Sequence, residues 1–408
     1  MDLTALLKLL APGMRVYVAG SSNEPRGIVT ALSEARLPDD LTFLQFPLPG
    51  LNVTDFTAWN DSARIETYFM SPTLQKAADP ERVQFVPMQM RWVFDHLSKN
   101  VDICLLQGAY DRNGVLRLGP NVDFADALLG SAVVVLELNH SFYAPAGGVA
   151  IDPASIDLII ESDVPLAQLN SATADSTAIE IGRRVAALIE DGDCLQTGIG
   201  AIPGAILSQL TDKNDLGLHG GLIDAGGQSL IQAGNVTGLR KTRDKGRHVT
   251  GMALGEPALF DWLAETPEVV FRSADYTHEA SVIRDIHQFV SINSAVEVDL
   301  MGQVNAEFAG GRQISGTGGS VDFMRSAKGS KGGRSIIAMT ATARGGSVSR
   351  IVPKVSVVTA LRTDVDRVVT EYGVAQLTGL PVLERAHALI EIAAPQFRAA
   401  LTDSLNQR

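Results

Sequence analysis

Short apolar runs rich in β-branched residues recur through the first part of the chain. They include Arg15–Ala19 (RVYVA), Leu41–Phe46 (LTFLQF), Val101–Gln107 (VDICLLQ), Ala132–Leu138 (AVVVLEL) and Leu158–Glu161 (LIIE). Near-continuous apolar character in short runs is what strands covered on both faces of a sheet require. RVYVA leads into Gly20-Ser21-Ser22-Asn23-Glu24-Pro25, and a helical stretch, GIVTALSEA, follows. The pattern predicts an α/β domain on an open, mostly parallel sheet.

Around Leu169–Thr177 (LNSATADST) the chain turns small and polar. This places a domain boundary near residue 170, between a domain of residues 1–170 and one of residues 171–408. Beyond it, Thr177 and Glu180 stand three apart, as in a capping box. Ile181, Val185, Leu188 and Ile189 form one apolar face at helical spacing. Ile292–Leu300 (INSAVEVDL) reads as a strand that carries Glu297 and Asp299 on one face. The segment ERAHALIEIAAPQFRAAL reads as helix.

The second half is punctuated by glycine clusters. Gln196–Gly204 (QTGIGAIPG) joins an apolar run to a helical one, so its backbone N–H groups can meet a ligand closely. It lacks the Lys-Ser/Thr ending of a P-loop and departs from G-x-G-x-x-G. Ser315–Gly319 (SGTGG) offers N–H donors suited to an oxyanion; a plain turn explains it equally well. Lys328, Lys331 and Arg334 sit among small residues, as a phosphate contact or a solvated loop would. Leu216–Gly238 (LGLHGGLIDAGGQSLIQAGNVTG) places His219 and Asp224 around Gly220 and Gly221. Glu371 stands beside a turn in VTEYGV.

Composition narrows the classes. A net charge of −12 argues against a general nucleic-acid binder. It leaves room for an anionic small ligand, because a local pocket can oppose the global field. No apolar run approaches the roughly 18 residues of a membrane helix, and the N-terminus carries no signal-peptide pattern. Cys104 and Cys194 lie in apolar stretches, as reduced thiols of a cytoplasmic protein would. No Cys/His spacing resembles a metal site.

Taken together, TGIGAIPGAIL, LGLHGGLIDAGG, SINSAVEVDLMGQVNAE, SGTGGSVDFMRSAKGSKGG, SRIVPKVSVVTALRTDVDRVVTEYGVAQLTG and LERAHALI resemble the acetyl-CoA hydrolase/transferase family of class I CoA-transferases, in its 4-hydroxybutyrate CoA-transferase-like branch. The resemblance implies two similar open α/β domains with the active site between them, and a homodimer. It implies acyl-CoA as substrate, a small carboxylate as acceptor, and no permanently bound cofactor. Gly198, Ile199, Gly200, Ala201 and Ile202 would contact CoA, and Gly318 and Gly319 would lie near the thioester. Lys331 and Glu371 are further candidates for that site. A family asparagine falls on His278.

The family nucleophile is a glutamate in a stretch reading G-x-H-[ST]-E-[ML]. Here that stretch is Gly217-Leu218-His219-Gly220-Gly221-Leu222, and the glutamate's position falls on Gly221. Four expectations follow. Water attacks the thioester, with Asp224, His219, Glu297 or Glu307 activating it. Different chemistry runs on the CoA ester. Glu307 or Asp224 takes over as nucleophile. Or the chain binds CoA without catalysis, or needs a partner chain.

Overall fold

The computed structural model describes residues 1–77, 79–170 and 172–406. The chain divides into two compact units, Met1–Asn170 with Val249–Thr277, and Ser171–His248 with His278–Arg408. A single cut near residue 170 therefore meets a return segment. Residues 249–277 join the first unit because their backbone bonds into it: Val122 N–H donates to Gly251 O, Ala253 N–H to Pro120 O, and Phe271 N–H to Gly147 O, at 2.7 to 3.0 Å.

The first unit is built on an eight-stranded sheet. Its strands lie in the spatial order Val83–Phe85, Arg64–Thr67, Thr42–Gln45, Arg15–Val18, Ile103–Tyr110, Val133–Asn139 and Leu158–Ser162, with Leu116–Leu118 paired to Ile103–Tyr110. All pairs are parallel except that last one. The apolar runs become these strands because both faces are covered: Val16, Val18, Leu105 and Val135 are buried on one face with Ile28 and Leu32 of the helix Arg26–Ser33, and Tyr17, Leu44 and Cys104 are buried on the other. The strand order reverses at Arg15–Val18, so this strand marks the topological switch point, where open α/β sheets hold ligands outside the carboxyl ends of their strands.

The second unit carries a six-stranded sheet in the order Gly217–Leu218, Cys194–Gln196, Phe289–Asn293, Arg334–Ala338, Arg367–Thr370 and Gly373–Gln376. Only the final hairpin pair is antiparallel. The open, mostly parallel architecture read from the strand pattern is thus present in both units.

Several local expectations change. The helix after the boundary runs Ser176–Ala186, and its cap is Asp175, whose carboxylate accepts from Ala178 N–H at 2.8 Å. Thr177 lies inside the helix, and Glu180 pairs with Arg183 and Arg184 instead of closing a capping box. INSAVEVDL is not one strand: Phe289–Asn293 belongs to the six-stranded sheet and Glu297–Asp299 to a separate three-stranded one. The C-terminal helical segment splits into Val382–Glu391 and Pro395–Asn406, because a proline has no N–H to continue the first helix.

Candidate functional site

In the second unit, three neighbouring parallel strands release their chains at the same edge. Cys194–Gln196 leads into the loop at 197–200, Gly217–Leu218 into His219-Gly220-Gly221, and Phe289–Asn293 into residues 294–296. Polar side chains stand at these strand ends. Ser291 Oγ and Asn293 Nδ2 both donate to Gln196 Oε1, at 2.9 and 3.1 Å. Gln196 lies under Gly220, where an added Cβ would stand 3.1 Å from its Cγ.

The loop at 197–200 ends at the N-terminus of the helix Ala201–Ser208. Gly200 caps that helix with φ 117°, a conformation that L side chains rarely adopt. Pro203 occupies the first turn, where its missing N–H costs nothing. Ile199 is exposed, and nothing approaches within 4 Å of a Cβ placed on Gly198 or Gly200. Open space thus lies beside the loop that leads into a helix N-terminus, the kind of place where an anion is held.

Gly221, His278, Gly319 and Phe323 meet at one point. A Cβ on Gly221 would stand 3.3 Å from His278 Cε1 and 3.4 Å from its Nε2. A Cβ on Gly319 would stand only 2.3 Å from His278 Nε2 and 2.9 Å from Phe323 Cε2, so only glycine fits there. The His278 and Phe323 rings lie 4.4 Å apart between centroids. Burial depresses the His278 pKa to about 3, so the imidazole stays neutral. Gly318, with φ 51°, and Gly319 lead into the helix Ser320–Gly329.

The other candidates are held elsewhere. His219 is fully buried, edge-on to Phe289 at 6.2 Å. Asp224 caps the helix Ala225–Gln232, accepting from Gly227 N–H at 3.0 Å; burial raises its pKa. Glu307 is buried, with Oε2 accepting from Gln313 Nε2 and Oε1 from Thr359 Oγ1, both at 2.8 Å. The same Gln313 amide donates to Ser315 O, so Glu307 anchors the start of the glycine loop. Glu297 accepts from Asn305 Nδ2 at 3.2 Å, and Glu371 from Ala341 N–H at 2.9 Å. Arg350 lies near both acids; burial lowers its pKa and the two acids oppose that. Asp299 is consumed by a turn, accepting from Met301 and Gln303 N–H. Lys328 pairs with Asp366 and Arg334 with Asp193, which leaves Lys331 as the exposed cation of that loop without an ion pair among the described residues.

Comparison with known proteins gives this arrangement a family. A family model described as the acetyl-CoA hydrolase/transferase C-terminal domain matches residues 255–405. The 4-hydroxybutyrate coenzyme A transferase of Clostridium kluyveri is 39% identical over 353 residues, which cover 85% of this chain and 82% of that protein. The chain belongs to the acetyl-CoA hydrolase/transferase family. Within this family, the butyryl-CoA:acetate CoA-transferase of Anaerostipes caccae is 37% identical, covering 79% of this chain and 74% of its own. RipA from Yersinia pestis matches in structure with a TM-score of 0.88 at 30% identity, over 100% of this chain and 99% of that one.

Four side chains at this candidate site were given no role by sequence reasoning: Gln196, Ser291, Asn293 and Phe323. Gln196 and Asn293 had a readable signal, a polar residue at the carboxyl end of an apolar run in CLQ and FVSIN; Ser291, inside its run, had none. Phe323 had none, since an aromatic one turn into a helix is ordinary core.

Proposed function

We propose that this chain processes acyl-CoA by cleaving the thioester with water instead of a protein carboxylate. The CoA moiety lies on Gly198, Ile199, Gly200, Ala201 and Ile202, where helix N-terminal amides meet its phosphates. The thioester carbonyl lies by Gly221, with the N–H groups of Gly318 and Gly319 receiving the developing oxyanion. Water oxygen bonds to the carbonyl carbon, the C–S bond breaks, and carboxylate and free thiol leave with one net proton released to solvent. His278 is a positioning residue beside that water; a base this weak does not hold the proton.

The observation that carries this reading is the state of the carboxylates. Position 221 has no side chain, and Asp224 and Glu307, the acids offered as substitutes, are engaged in a helix cap and in two hydrogen bonds. A carboxylate tied down by donors is a poor nucleophile. Names of relatives support the substrate class: they include CoA-transferases and an acetyl-CoA hydrolase of Kluyveromyces lactis.

The test is mass spectrometry of the purified protein with acetyl-, butyryl- and succinyl-CoA, with and without acetate, in 18O-labelled water. Free CoA without acceptor, and one 18O in the released acid, are expected. New acyl-CoA formed only with acetate would replace hydrolysis by transfer.

A further inference from the structure

The first unit contains a cavity of about 40 Å³ that none of the chemistry above uses. It lies at the carboxyl ends of Arg15–Val18 and Thr42–Gln45, at the switch point of the sheet. By the measure in which one water needs roughly 10–15 Å³, it has room for about three non-hydrogen atoms. Tyr17, Phe46 and Phe124 give it aromatic walls, and Met90 and Met252 add thioethers. The Phe46 and Phe124 rings lie 5.8 Å apart, tilted at 42°. Gly20 allows the chain end to close against Phe46, since a Cβ there would stand 2.3 Å from the Phe46 carbonyl oxygen. Ser21 follows in a left-handed conformation, φ 57°, with its N–H held by Asn52 Oδ1 at 2.7 Å. Non-glycine residues held there cluster at ligand sites.

Asp123 lines this cavity and is only 7% exposed. Its Oδ1 has no hydrogen-bond partner among the described residues. No ion pair among the described residues reaches it either, and burial alone pushes its pKa up to about 7. Buried polar groups are nearly always satisfied, so an orphaned carboxyl at a cavity wall asks for a donor from outside the chain. The walls decide which donor. Aromatic faces attract cations, and a charge-assisted hydrogen bond from a cation to a carboxylate is stronger than one from a neutral donor.

We propose that this cavity binds a small primary alkylammonium group, with Asp123 as its counter-ion and Tyr17, Phe46 and Phe124 around its methylenes. The group arrives either on a free amine or at the end of an acyl chain.

The test is a titration of the full chain, labelled with 13C at methionine methyls, with ethylammonium chloride. The Met90 and Met252 methyls should shift and saturate. Sodium chloride at equal ionic strength should not move them, and ethanol should bind at least about tenfold more weakly. Asp123→Asn should weaken ethylammonium by about tenfold or more while leaving CoA binding unchanged. Phe124→Leu, which keeps the carboxylate, should weaken it a few-fold. No saturable shift, equal binding by ethanol, or equal binding by Asp123→Asn would each overturn the proposal. β-Alanyl-CoA against butyryl-CoA then separates the sources, because their acyl groups match in length and differ in charge. A selective shift by β-alanyl-CoA assigns the ammonium to an acyl chain; a shift by ethylammonium alone assigns it to a free amine. The titration needs no turnover, so it stands apart from the thioester chemistry.

Discussion

Gly221→Glu supplies the side chain type that the family pattern carries, yet the structure says it will rebuild a transferase poorly on its own. Backbone strain is no obstacle, since Gly221 is not among the positive-φ glycines. The obstacle is His278. The first atom added would stand 3.3 Å from its Cε1, 3.4 Å from its Nε2 and 4.0 Å from Phe323 Cε2, so the ring must give by a few tenths of an ångström. It has nowhere to go. Its other edge is so close to Gly319 that a Cβ there would stand 2.3 Å from Nε2 and 2.5 Å from Cδ2. Overpacking of this kind costs about 1–3 kcal/mol. Taken up as misplacement of the new carboxylate, at about 1.4 kcal/mol per tenfold in rate, that is a loss of roughly 5- to 150-fold.

The double variant Gly221→Glu/His278→Asn removes the conflict, because asparagine is shorter than the imidazole and matches the residue that the family resemblance assigns there. Transfer of CoA from butyryl-CoA to acetate should therefore be about 5- to 150-fold faster in the double variant than in Gly221→Glu. A CoA adduct on the peptide containing residue 221 should accumulate with it. Whatever part of the strain the fold keeps should appear in urea unfolding as destabilisation of the single variant by up to about 3 kcal/mol, partly recovered in the double variant, a coupling energy of the kind neighbours in contact show. Equal transfer rates in the two variants, together with additive stabilities, would refute the wedge reasoning.

Gly319→Ala should be more damaging to folding than any change at Gly221, by about 3 kcal/mol in urea, and His278→Ala in the same chain should recover most of it. Gly200→Ala forces a side chain into a conformation that costs about 1–3 kcal/mol and should raise KM for the CoA ester more than it lowers kcat. Gly198→Ala has free space and ordinary φ, so its stability should stay within about 0.5 kcal/mol; a raised KM there reports a ligand passing close to the backbone. His278 is neutral down to about pH 3 when folded, whereas the unfolded imidazole takes a proton near 6.5. The unfolded state then binds more protons between these values, so stability falls on acidification by about 1.4 kcal/mol per pH unit. His278→Asn should flatten the stability profile between pH 6.5 and 4.5, measured against the parent chain.

The features legible in the sequence are those in which composition dictates backbone. Apolar runs such as VDICLLQ and AVVVLEL suit a doubly covered strand, and both became interior strands of the first sheet. The glycine clusters QTGIGAIPG and SGTGG were legible as bare backbone beside a helix; that Gly200 and Gly318 take positive φ there is seen only in the structure. The return of residues 249–277 to the first unit was invisible, because that pairing depends on backbone bonds to residues more than a hundred positions away, which no local pattern records.

Side-chain duties were less legible, for a different reason. A carboxylate satisfies a helix cap and a catalytic role with the same two oxygens, so Asp224 in LIDAGGQ and Glu307 in NAEFAGG read as candidate bases until their partners are known. Asp123 is the converse. In NVDFADALLG it resembles any acid before a short helix, and Asp126, three residues on, accepts from Ser273 Oγ. Asp123 differs only in what surrounds it: burial, with no donor to its Oδ1 and no ion pair among the described residues. A residue's chemistry is set by the balance between desolvation and the donors that offset it. That balance is a property of the three-dimensional neighbourhood, so acids with identical sequence surroundings divide into caps, anchors and ligand sites only after the chain has folded.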